Sequence, residues 1–417
     1  MTAPVPSNPA PGHPPPAYFA VDGDELVVGG MRLSALARQV GQTPFFAYDR
    51  RALDARVREL RQALPPAIKL HYAIKANPMP AVVAHLAALV DGLDVASVRE
   101  LDVALGAGMR PLDISFAGPG KSDDELARAV AAGILVNVES FRELRVLDGI
   151  AKATGVAPRV AVRVNPDFEL KSSGMRMGGG PRQFGIDAEE VPRALAEIGA
   201  RGLGFEGFHI FSGSQNLRSE AICEAHAKAY ELAVALAGQA PSPVLRCNLG
   251  GGLGIPYFPG ERALDLAPVA RNLDTIAAAA AGTLPGAELI IELGRYLVGE
   301  AGVYVCRVLD RKVSRGQVFL VTDGGLHHHL AASGNFGQVI RKNYPVAIAC
   351  RMAGGARELA SVVGRLCTPL DLLADRMELG AAEEGDVVVV FQSGAYGITA
   401  SPSAFLSHPA AAEVLVG

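Results

Sequence analysis

The sequence predicts a (β/α)8 barrel followed by a second, all-β domain, and two patterns support this. Between residues 45 and 297, short β-branched runs alternate with amphipathic helical segments, which is typical of a parallel sheet covered by helices. After residue 298, strand-like runs follow one another with turns between them and few helices. A doubly wound sheet shows a similar alternation, and we prefer the barrel because we count eight strand–helix units.

The eight predicted barrel strands end in chemically distinctive residues. We place these strands at residues 68–76, 93–97, 114–119, 134–140, 159–166, 204–211, 245–252 and 288–295. Helical segments lie between them, and Ser122 with the acidic residues after it is a helix N-cap signal. The residues at the strand ends are Lys75, Asp94, Gly118, Asn165, Phe211, Gly250 to Gly252 and Glu292. The carboxyl ends of barrel strands line one mouth, so the pattern predicts an active site there.

The chain of 417 residues is too long for one ordinary core, so we expect separate domains. Residues 1–17 form a proline-rich tail that we expect to be disordered. Strands in residues 18–44 are expected to pair with the C-terminal domain. The barrel then occupies residues 45–297 and the β domain residues 298–417.

Composition excludes several classes of protein. The net charge is −4, from 39 basic and 43 acidic residues without a basic block, which argues against a nucleic-acid partner. No apolar run reaches the roughly 18 residues that span a bilayer, and the start does not resemble a secretory signal. Five scattered cysteines form no CxxC pair, which argues against a zinc site or a disulfide framework. We therefore expect a cytoplasmic protein without a membrane partner.

Three sites could carry chemistry, and each has a structural alternative. Lys75 is either a lysine that reaches solvent at the rim or one that forms an imine with a carbonyl cofactor. The glycine run in NLGGGLG (248–254) is either a tight loop or a cradle for a phosphate, although it matches neither the Walker nor the dinucleotide pattern. Glu292 either pairs with Arg295 or faces the ring nitrogen of a pyridine cofactor.

The run His327-His328-His329 suggests a metal site, but we expect none. Three consecutive side chains cannot converge on one ion if the segment is extended. No acidic ligand stands at a familiar spacing from the histidines. We predict a loop or the rim of an active site.

Eleven motifs, in order between residues 45 and 405, carry a resemblance to a known family. They are HYAIKANP, LDVAS, FAGPGKSDDEL, VNVES, RVNP, FSGSQ, NLGGGLG, ELGRYLV, DGG, CTPLD and SGAYG. The series resembles the fold-type III decarboxylases that depend on pyridoxal 5′-phosphate (PLP), the ornithine/diaminopimelate/arginine decarboxylase family. The resemblance implies an alanine racemase-like barrel, PLP as the cofactor, an amino acid as the substrate and a homodimer with shared active sites.

The resemblance also implies a role for each matching residue. Lys75 would hold PLP as a Schiff base, and Glu292 would face the ring nitrogen. The phosphate would be held by Gly250, Gly251, Gly252, Ser214, Gly294, Arg295 and Tyr396. The surroundings of the lysine would be shaped by Asp94, Glu100 and Arg163. From the opposite subunit, Cys367 would protonate the carbanionic carbon. The substrate side of the site would include Arg295, Thr368, Asp371 and Tyr396.

Three departures from the family pattern affect these implications. FSGSQ replaces HIGSQ, so Phe211 would stack on the ring in place of a histidine, with His209 on the same side of the strand. ELGR replaces EPGR, which we consider minor. CTPLD replaces the CESGD of diaminopimelate decarboxylases, where the glutamate contacts a distal ammonium. Thr368 carries no charge, so diaminopimelate is a doubtful substrate unless Asp371 compensates.

The reaction and the substrate leave alternatives. Racemases of this fold place an arginine at the ring nitrogen, so Glu292 favours decarboxylation over racemisation. The segment around HHHLAASGNFGQVIRKNYPVAI resembles a branch with carrier-protein-linked and exosortase-associated amino-acid decarboxylases. This implies an aminoacyl group tethered to an acyl carrier protein, which Arg341 and Lys342 would contact. The alternatives are meso-diaminopimelate decarboxylase, an amino-acid racemase, a non-catalytic PLP-binding protein, and a barrel that binds phosphorylated sugars.

Overall fold

The computed structural model describes residues 13, 16–168, 175–176, 178–336, 338 and 340–417. Of the predicted proline-rich tail, residues 1–12, 14 and 15 lie outside the described residues. The elements that precede the barrel are β1 (Ala20–Asp22), β2 (Glu25–Val28), β3 (Met31–Arg32), α1 (Leu33–Val40) and β4 (Phe45–Asp49). Strands β1 to β3 form a small antiparallel sheet of their own.

The N-terminal segment is tied to the C-terminal domain differently from our expectation. Leu26 N–H donates to the carbonyl of Ala349, and Met352 N–H donates to that of Asp24, but β1 to β3 pair only with one another. Strand β4, which we had placed in the barrel, pairs with strands of the C-terminal domain. All five of its residues are buried. A short apolar run buried on both faces looks the same in either domain, so the sequence pattern could not separate them.

Eight parallel strands form a closed barrel, which confirms the predicted fold class. Strands β5 to β15 in chain order are β5 (Ile68–Ala73), β6 (Gly92–Val95), β7 (Ile114–Phe116), β8 (Leu135–Val138), β9 (Arg159–Asn165), β10 (Met175–Arg176), β11 (Ile186–Asp187), β12 (Gly204–Ile210), β13 (Gly213–Ser214), β14 (Arg246–Asn248) and β15 (Glu288–Leu293). The two-residue strands β10, β11 and β13 lie outside the ring. Around the ring the order is β5-β6-β7-β8-β9-β12-β14-β15, and β15 pairs with β5 to close it.

Helices cover the outside of the barrel. They are α2 (Arg50–Ala63), α3 (Pro80–Ala87), α4 (Val98–Gly106), α5 (Asp123–Ala132), α6 (Phe141–Thr154), α7 (Val191–Ala200), α8 (Ser219–Ala237) and α9 (Leu266–Thr283). Serine caps start three of them: Ser97, Ser122 and Ser140 each accept the N–H of the glutamate three residues later. The predicted cap at Ser122 is confirmed, with Glu125 completing a capping box.

The interior of the barrel carries a belt of buried polar side chains. Each strand of the ring contributes at least one: His71, Asp94, Ser115, Asn137, Arg163, His209, Asn248 and Glu292. Neighbouring strands are linked through them, since Asp94 Oδ1 lies 3.3 Å from His71 Nδ1 and accepts from Ser115 Oγ at 2.5 Å. Branched apolar residues usually fill such a barrel. In this barrel, a layer of buried polar side chains that bond across strands replaces part of that apolar filling.

The C-terminal domain is mostly β-structure, as predicted. It comprises α10 (Arg295–Val298), β16 (Gly302–Ser314), β17 (Gln317–Thr322), β18 (Val346–Ile348), β19 (Arg357–Val363), β20 (Leu372–Gly380), β21 (Val387–Val390) and β22 (Ala412–Val416). The strand order is β18-β21-β16-β17-β19-β20, with β4 between β16 and β22. Helix α10 begins directly after barrel strand β15, so the barrel mouth and the β domain are joined at Arg295. None of the helices in the described residues is long and apolar enough to cross a membrane.

Candidate active site at the barrel mouth

Lys75 lies in a single 3₁₀ turn, Ile74–Ala76, that follows β5 directly. The turn brings the side chain to the mouth, where it is exposed, while Ile74 and Ala76 on either side are buried. Its Nζ is 5.9 Å from the centre of the Phe211 ring. The lysine is therefore accessible and sits beside a flat aromatic surface.

One cavity at this mouth brings most of the predicted cofactor residues together. It has a volume of about 350 Å³ including its opening to solvent. The predicted residues that line it are Lys75, Phe211, Ser214, Gly252, Glu292, Gly294, Arg295 and Tyr396. They come from the ends of four barrel strands, the short strand β13, the start of α10 and the C-terminal domain.

The glycine loop after β14 has a conformation that other residues adopt only with strain. Gly250 and Gly252 have φ of 76° and 86°, in the left-handed region that favours glycine. A Cβ on Gly251 would lie 2.0 Å from the carbonyl oxygen of Glu292. Asn248 Oδ1 accepts the N–H of Gly250 at 2.8 Å and fixes the start of the loop. The run is thus a close-packed cradle with its backbone at the cavity.

Glu292 is the acidic group of the cavity, and the surroundings keep it ionised. Its Oε2 accepts a hydrogen bond from Asn248 Nδ2 at 3.0 Å. The same oxygen lies 3.1 Å from His209 Nε2, which is within ion-pair distance, although the two atoms are not aligned for a hydrogen bond. Burial favours the neutral acid, but His209 and then Lys75 outweigh it, so the pKa of Glu292 is lowered from its ordinary value. A buried carboxylate that stays charged can hold a proton on a facing ring nitrogen.

Arg295 is a partly buried cation of the cavity. Its Nη1 donates to Tyr257 Oη at 2.9 Å, and its guanidinium carbon lies 4.6 Å from the centre of the Tyr396 ring. Burial opposes the charge, yet Tyr257 and Tyr396 more than compensate, so the pKa of Arg295 is raised. Arg295 Nε is buried without an acceptor among the residues that the structure describes. Such a cation suits a bound anion.

The residues predicted to surround Lys75 lie outside the cavity, and some form a second layer. Arg163 donates from Nη1 to Glu139 Oε1 at 2.9 Å and sits next to His209 on the neighbouring strand. Glu100 accepts the N–H of Ala96 at 2.7 Å. Burial raises the pKa of Glu100, and Lys75 opposes this shift. Electrostatic coupling to the lysine is therefore present at Glu100.

The predicted substrate residues of the CTPLD segment lie elsewhere. Cys367 is exposed on the loop between β19 and β20, and neither Cys367 nor Thr368 lines the cavity of its own subunit. The substrate contact of Asp371 stays a prediction, and within its own subunit the residue is part of a buried contact. Its carboxylate is 3% exposed and accepts the N–H of Leu326 at 2.7 Å and of Leu366 at 2.9 Å. Burial raises the pKa of Asp371, and these two N–H groups oppose the shift.

The histidine run forms a buried turn, not an extended segment. The ring centres of His327 and His328 are 3.8 Å apart, and His329 Nε2 lies 2.9 Å from Ser393 Oγ. All three side chains are buried, so they do not form a rim. Within the described residues, no group of three or more ligand-type side chains is placed to hold a metal ion.

Arg341 is engaged inside the chain. It donates from Nε to the Ser333 carbonyl at 3.0 Å and from Nη2 to the Leu372 carbonyl at 2.6 Å. Within the chain its donors brace two loops, and its contact with a partner protein stays a prediction. Lys342 is exposed, with Nζ 5.4 Å from the centre of the Phe258 ring.

Sequence reasoning missed several supporting residues. Asn248 stood inside the quoted NLGGGLG motif, where its position between strand and glycines was the signal. His226 in α8 contacts the Gly251 carbonyl, and Tyr257 holds Arg295. A lone histidine on a helix and a tyrosine in a loop carry no pattern that separates them from ordinary buried residues.

Comparisons with known proteins identify the family of this chain. The family model described as "Pyridoxal-dependent decarboxylase, pyridoxal binding domain" matches residues 50–299. The L-glutamyl-[BtrI acyl-carrier protein] decarboxylase of Niallia circulans is 40% identical over 396 residues, covering 92% of this chain and 90% of that protein. The diaminopimelate decarboxylase of Aquifex aeolicus is 33% identical over 96% of this chain and 92% of its own. The crystal structure of diaminopimelate decarboxylase from Helicobacter pylori with L-lysine has a TM-score of 0.81 at 28% identity, covering 92% of this chain and 94% of that one.

The residues of the cavity also fit PLP. Lys75 offers an amine for the aldehyde, and the glycine cradle together with Arg295 suits the phosphate. The buried Arg295 Nε without an acceptor and the ionised Glu292 are the two features that an empty apolar pocket would not contain. With a family match over residues 50–299 and relatives similar over nine-tenths of the chain, this protein belongs to the PLP-dependent amino-acid decarboxylases.

Proposed function

We propose that this enzyme removes the α-carboxylate of a glutamyl group, or of a similar amino acid, attached to an acyl carrier protein. The similarity at 40% identity to a decarboxylase of that class carries the proposal, against 33% to a diaminopimelate decarboxylase. Uncharged Thr368 supports it, because a distal ammonium would lack a charged partner there.

The decarboxylation reaction determines which group of the substrate can be attached to the carrier protein. The α-amine must be free to react at the cofactor aldehyde, and the α-carboxylate must be free to leave. A glutamyl group can therefore be attached to the carrier only through its side-chain carboxyl. The charge of that carboxyl is lost in the linkage, so the site needs no cation for the distal end of the substrate.

Each residue of the cavity has a defined task. PLP, when bound, supplies the electron-withdrawing ring that takes up electrons from the breaking carbon–carboxylate bond. Lys75 binds the aldehyde carbon, and the glycine loop with Arg295 binds the phosphate. The ionised carboxylate of Glu292 holds a proton on the ring nitrogen. Phe211 offers a flat face beside Lys75 that orients the ring.

We propose that a second copy of the chain completes the site with Cys367. This thiol is exposed and lies outside the cavity of its own subunit, so it is free to protonate carbon in a partner. A cytoplasmic location suits it, because thiols stay reduced there. Mixing Lys75→Ala and Cys367→Ala homodimers, each inactive, should restore about a quarter of wild-type activity, since half of the reassorted dimers carry one intact site. No recovery after confirmed subunit exchange would contradict the shared site.

Substrate choice is tested by supplying carrier-bound and free amino acids side by side. We expect mass spectrometry to show loss of one CO2 from side-chain-linked glutamyl carrier protein, and slower turnover of free glutamate and free meso-diaminopimelate. Lys75→Ala is the matched inactive control. Turnover of free meso-diaminopimelate alone would replace the proposal with the second candidate, diaminopimelate decarboxylase, which the similarity to the Aquifex and Helicobacter enzymes favours.

The covalent link is tested separately from the substrate. Wild-type protein with PLP should absorb near ~420 nm, as protonated imines of this cofactor do, and borohydride should remove the band. Lys75→Ala should lack the band, while Lys342→Ala, which changes an exposed lysine elsewhere, should keep it. An unaltered band in Lys75→Ala would contradict the assignment of the lysine.

A further inference from the structure

The three carbonyl groups of the glycine loop are all held from outside the loop. The Gly250 carbonyl accepts the N–H of Glu292 at 2.9 Å, and the Gly252 carbonyl accepts the N–H of Asn216 at 2.9 Å. The Gly251 carbonyl lies 3.1 Å from Nε2 of His226. Two of the three donors are backbone groups, fixed by the fold. The third is a side chain, so the hold on the central carbonyl depends on the identity of residue 226.

Holding the central carbonyl also sets the direction of the next amide. The peptide bond between Gly251 and Gly252 is trans, since the cis peptide bond of the described residues lies at Thr43-Pro44. In a planar trans peptide the C=O and the following N–H point in opposite directions. Because the Gly251 carbonyl points toward α8, the N–H of Gly252 points away from α8, on the side where Gly252 lines the cavity.

His226 is suited to act as a neutral donor. It lies in the middle of α8 and is 1% exposed. Burial lowers the pKa of His226 to about 4, so the ring is neutral near pH 7. Nε2 faces a carbonyl and must therefore carry the proton, while Nδ1 is buried with no partner among the described residues. The loop cannot relax toward β15, since Gly251 is already packed against the Glu292 carbonyl.

We propose that His226 is a positioning residue that aims the Gly252 amide at the phosphate of PLP. The inference rests on the cofactor and not on the tethered substrate, so it survives if the substrate is free diaminopimelate. It predicts a defect specific to the phosphate end of the cofactor. A residue that only filled space in α8 would not distinguish PLP from pyridoxal, which lacks the phosphate.

The test compares the dissociation constants of PLP and pyridoxal for the apoenzyme, followed by the visible absorbance of the bound form without substrate. His226→Leu and His226→Met both remove the donor, and two variants are used in case one folds poorly. His226→Gln keeps an N–H near the position of Nε2. We expect the donor-free variants to weaken PLP binding about tenfold, the effect of one lost hydrogen bond, and pyridoxal binding less than about twofold. His226→Gln should restore PLP binding to within about threefold of wild type.

The ³¹P chemical shift of bound PLP provides a second readout, and it should move in the donor-free variants and return in His226→Gln. Equal weakening of PLP and pyridoxal would overturn the proposal, because the histidine would then support the fold without acting on the phosphate. Unchanged PLP affinity in a folded donor-free variant, or failure of glutamine to rescue, would overturn it as well. Failure of the enzyme to bind PLP at all would instead contradict the Lys75 assignment.

Discussion

Asp371 offers a direct test between a structural role and a substrate role. Its carboxylate accepts the N–H groups of Leu326 and Leu366 and joins the DGG turn to the loop that carries Cys367. A Cβ on Gly325 or Gly364 would lie within about 2 Å of its oxygens, so the fit is close on both sides. Asp371→Ala leaves two buried N–H groups without acceptors. At about 1.5 kcal/mol each, the loss is about 3 kcal/mol.

The assay measures stability and kinetics together. A loss of about 3 kcal/mol lowers Tm by roughly 6–12 °C for domains of this size. Asp371→Asn keeps one acceptor and should lose about half as much. Affinity for PLP should be unchanged, because Leu326 and Leu366, whose N–H groups Asp371 accepts, do not line the cavity. The reasoning fails if Asp371→Asn keeps the wild-type Tm and raises only KM, which is what a substrate contact would produce.

Three further predictions follow from the site and its surroundings. Gly251→Ala should weaken PLP binding by at least about 100-fold, because the added Cβ would clash with the Glu292 carbonyl. The control Gly238→Ala has open space around the new Cβ and should leave PLP binding unchanged in the same titration. Asn248→Asp places a second carboxylate beside Glu292, so one of the two must take up a proton. The pH profile of kcat should therefore shift. An unshifted profile would contradict the contact between residue 248 and Glu292. Burial lowers the pKa of His329 to about 3, so the unfolded chain binds more protons between pH 3 and 6.5 and stability falls as pH decreases through that window. Urea midpoints measured across this range should show the decrease, and His329→Phe should make it less steep, while His226 and His327, whose pKa values burial lowers to about 4, continue to contribute.

The barrel could be predicted from the sequence because each strand of the ring is a short apolar run that ends in a turn or a capped helix. The observed strands fall within the predicted ranges, apart from Gly92 at the start of β6. Strand β4 was assigned to the wrong domain because Phe45–Asp49 is buried on both sides. The local hydrophobic pattern indicates that a strand is buried, but it does not indicate which sheet provides the neighbouring strand.

Site residues could be predicted where they stood in a motif at the end of a strand. Contacts between residues far apart in the sequence could not be predicted. Lys75 and Arg295 lie just after barrel strands and Glu292 lies at the end of one, so one topological rule brings them together. Asp371 stood in a motif as well, but one of its two partners is the N–H of Leu326, 45 residues earlier in the chain. His226 approaches the glycine loop from the middle of a helix. Neither contact leaves a signal in residue type or spacing.

Most of the residues that would hold the cofactor and the CTPLD residues proposed to contact the substrate lie on different domains. Asn248 bonds both the Gly250 N–H and the Glu292 carboxylate, so the phosphate cradle and the partner of the ring nitrogen cannot move independently. Both lie on barrel strands, within the residues 50–299 that the family model matches. The CTPLD loop lies on the β domain, beyond that range, and is braced there by Asp371. Under the proposed shared site, a change of substrate proceeds through this loop while the geometry that holds the cofactor is preserved. That would account for the similarity of this chain both to a decarboxylase of a carrier-bound glutamyl group and to a diaminopimelate decarboxylase.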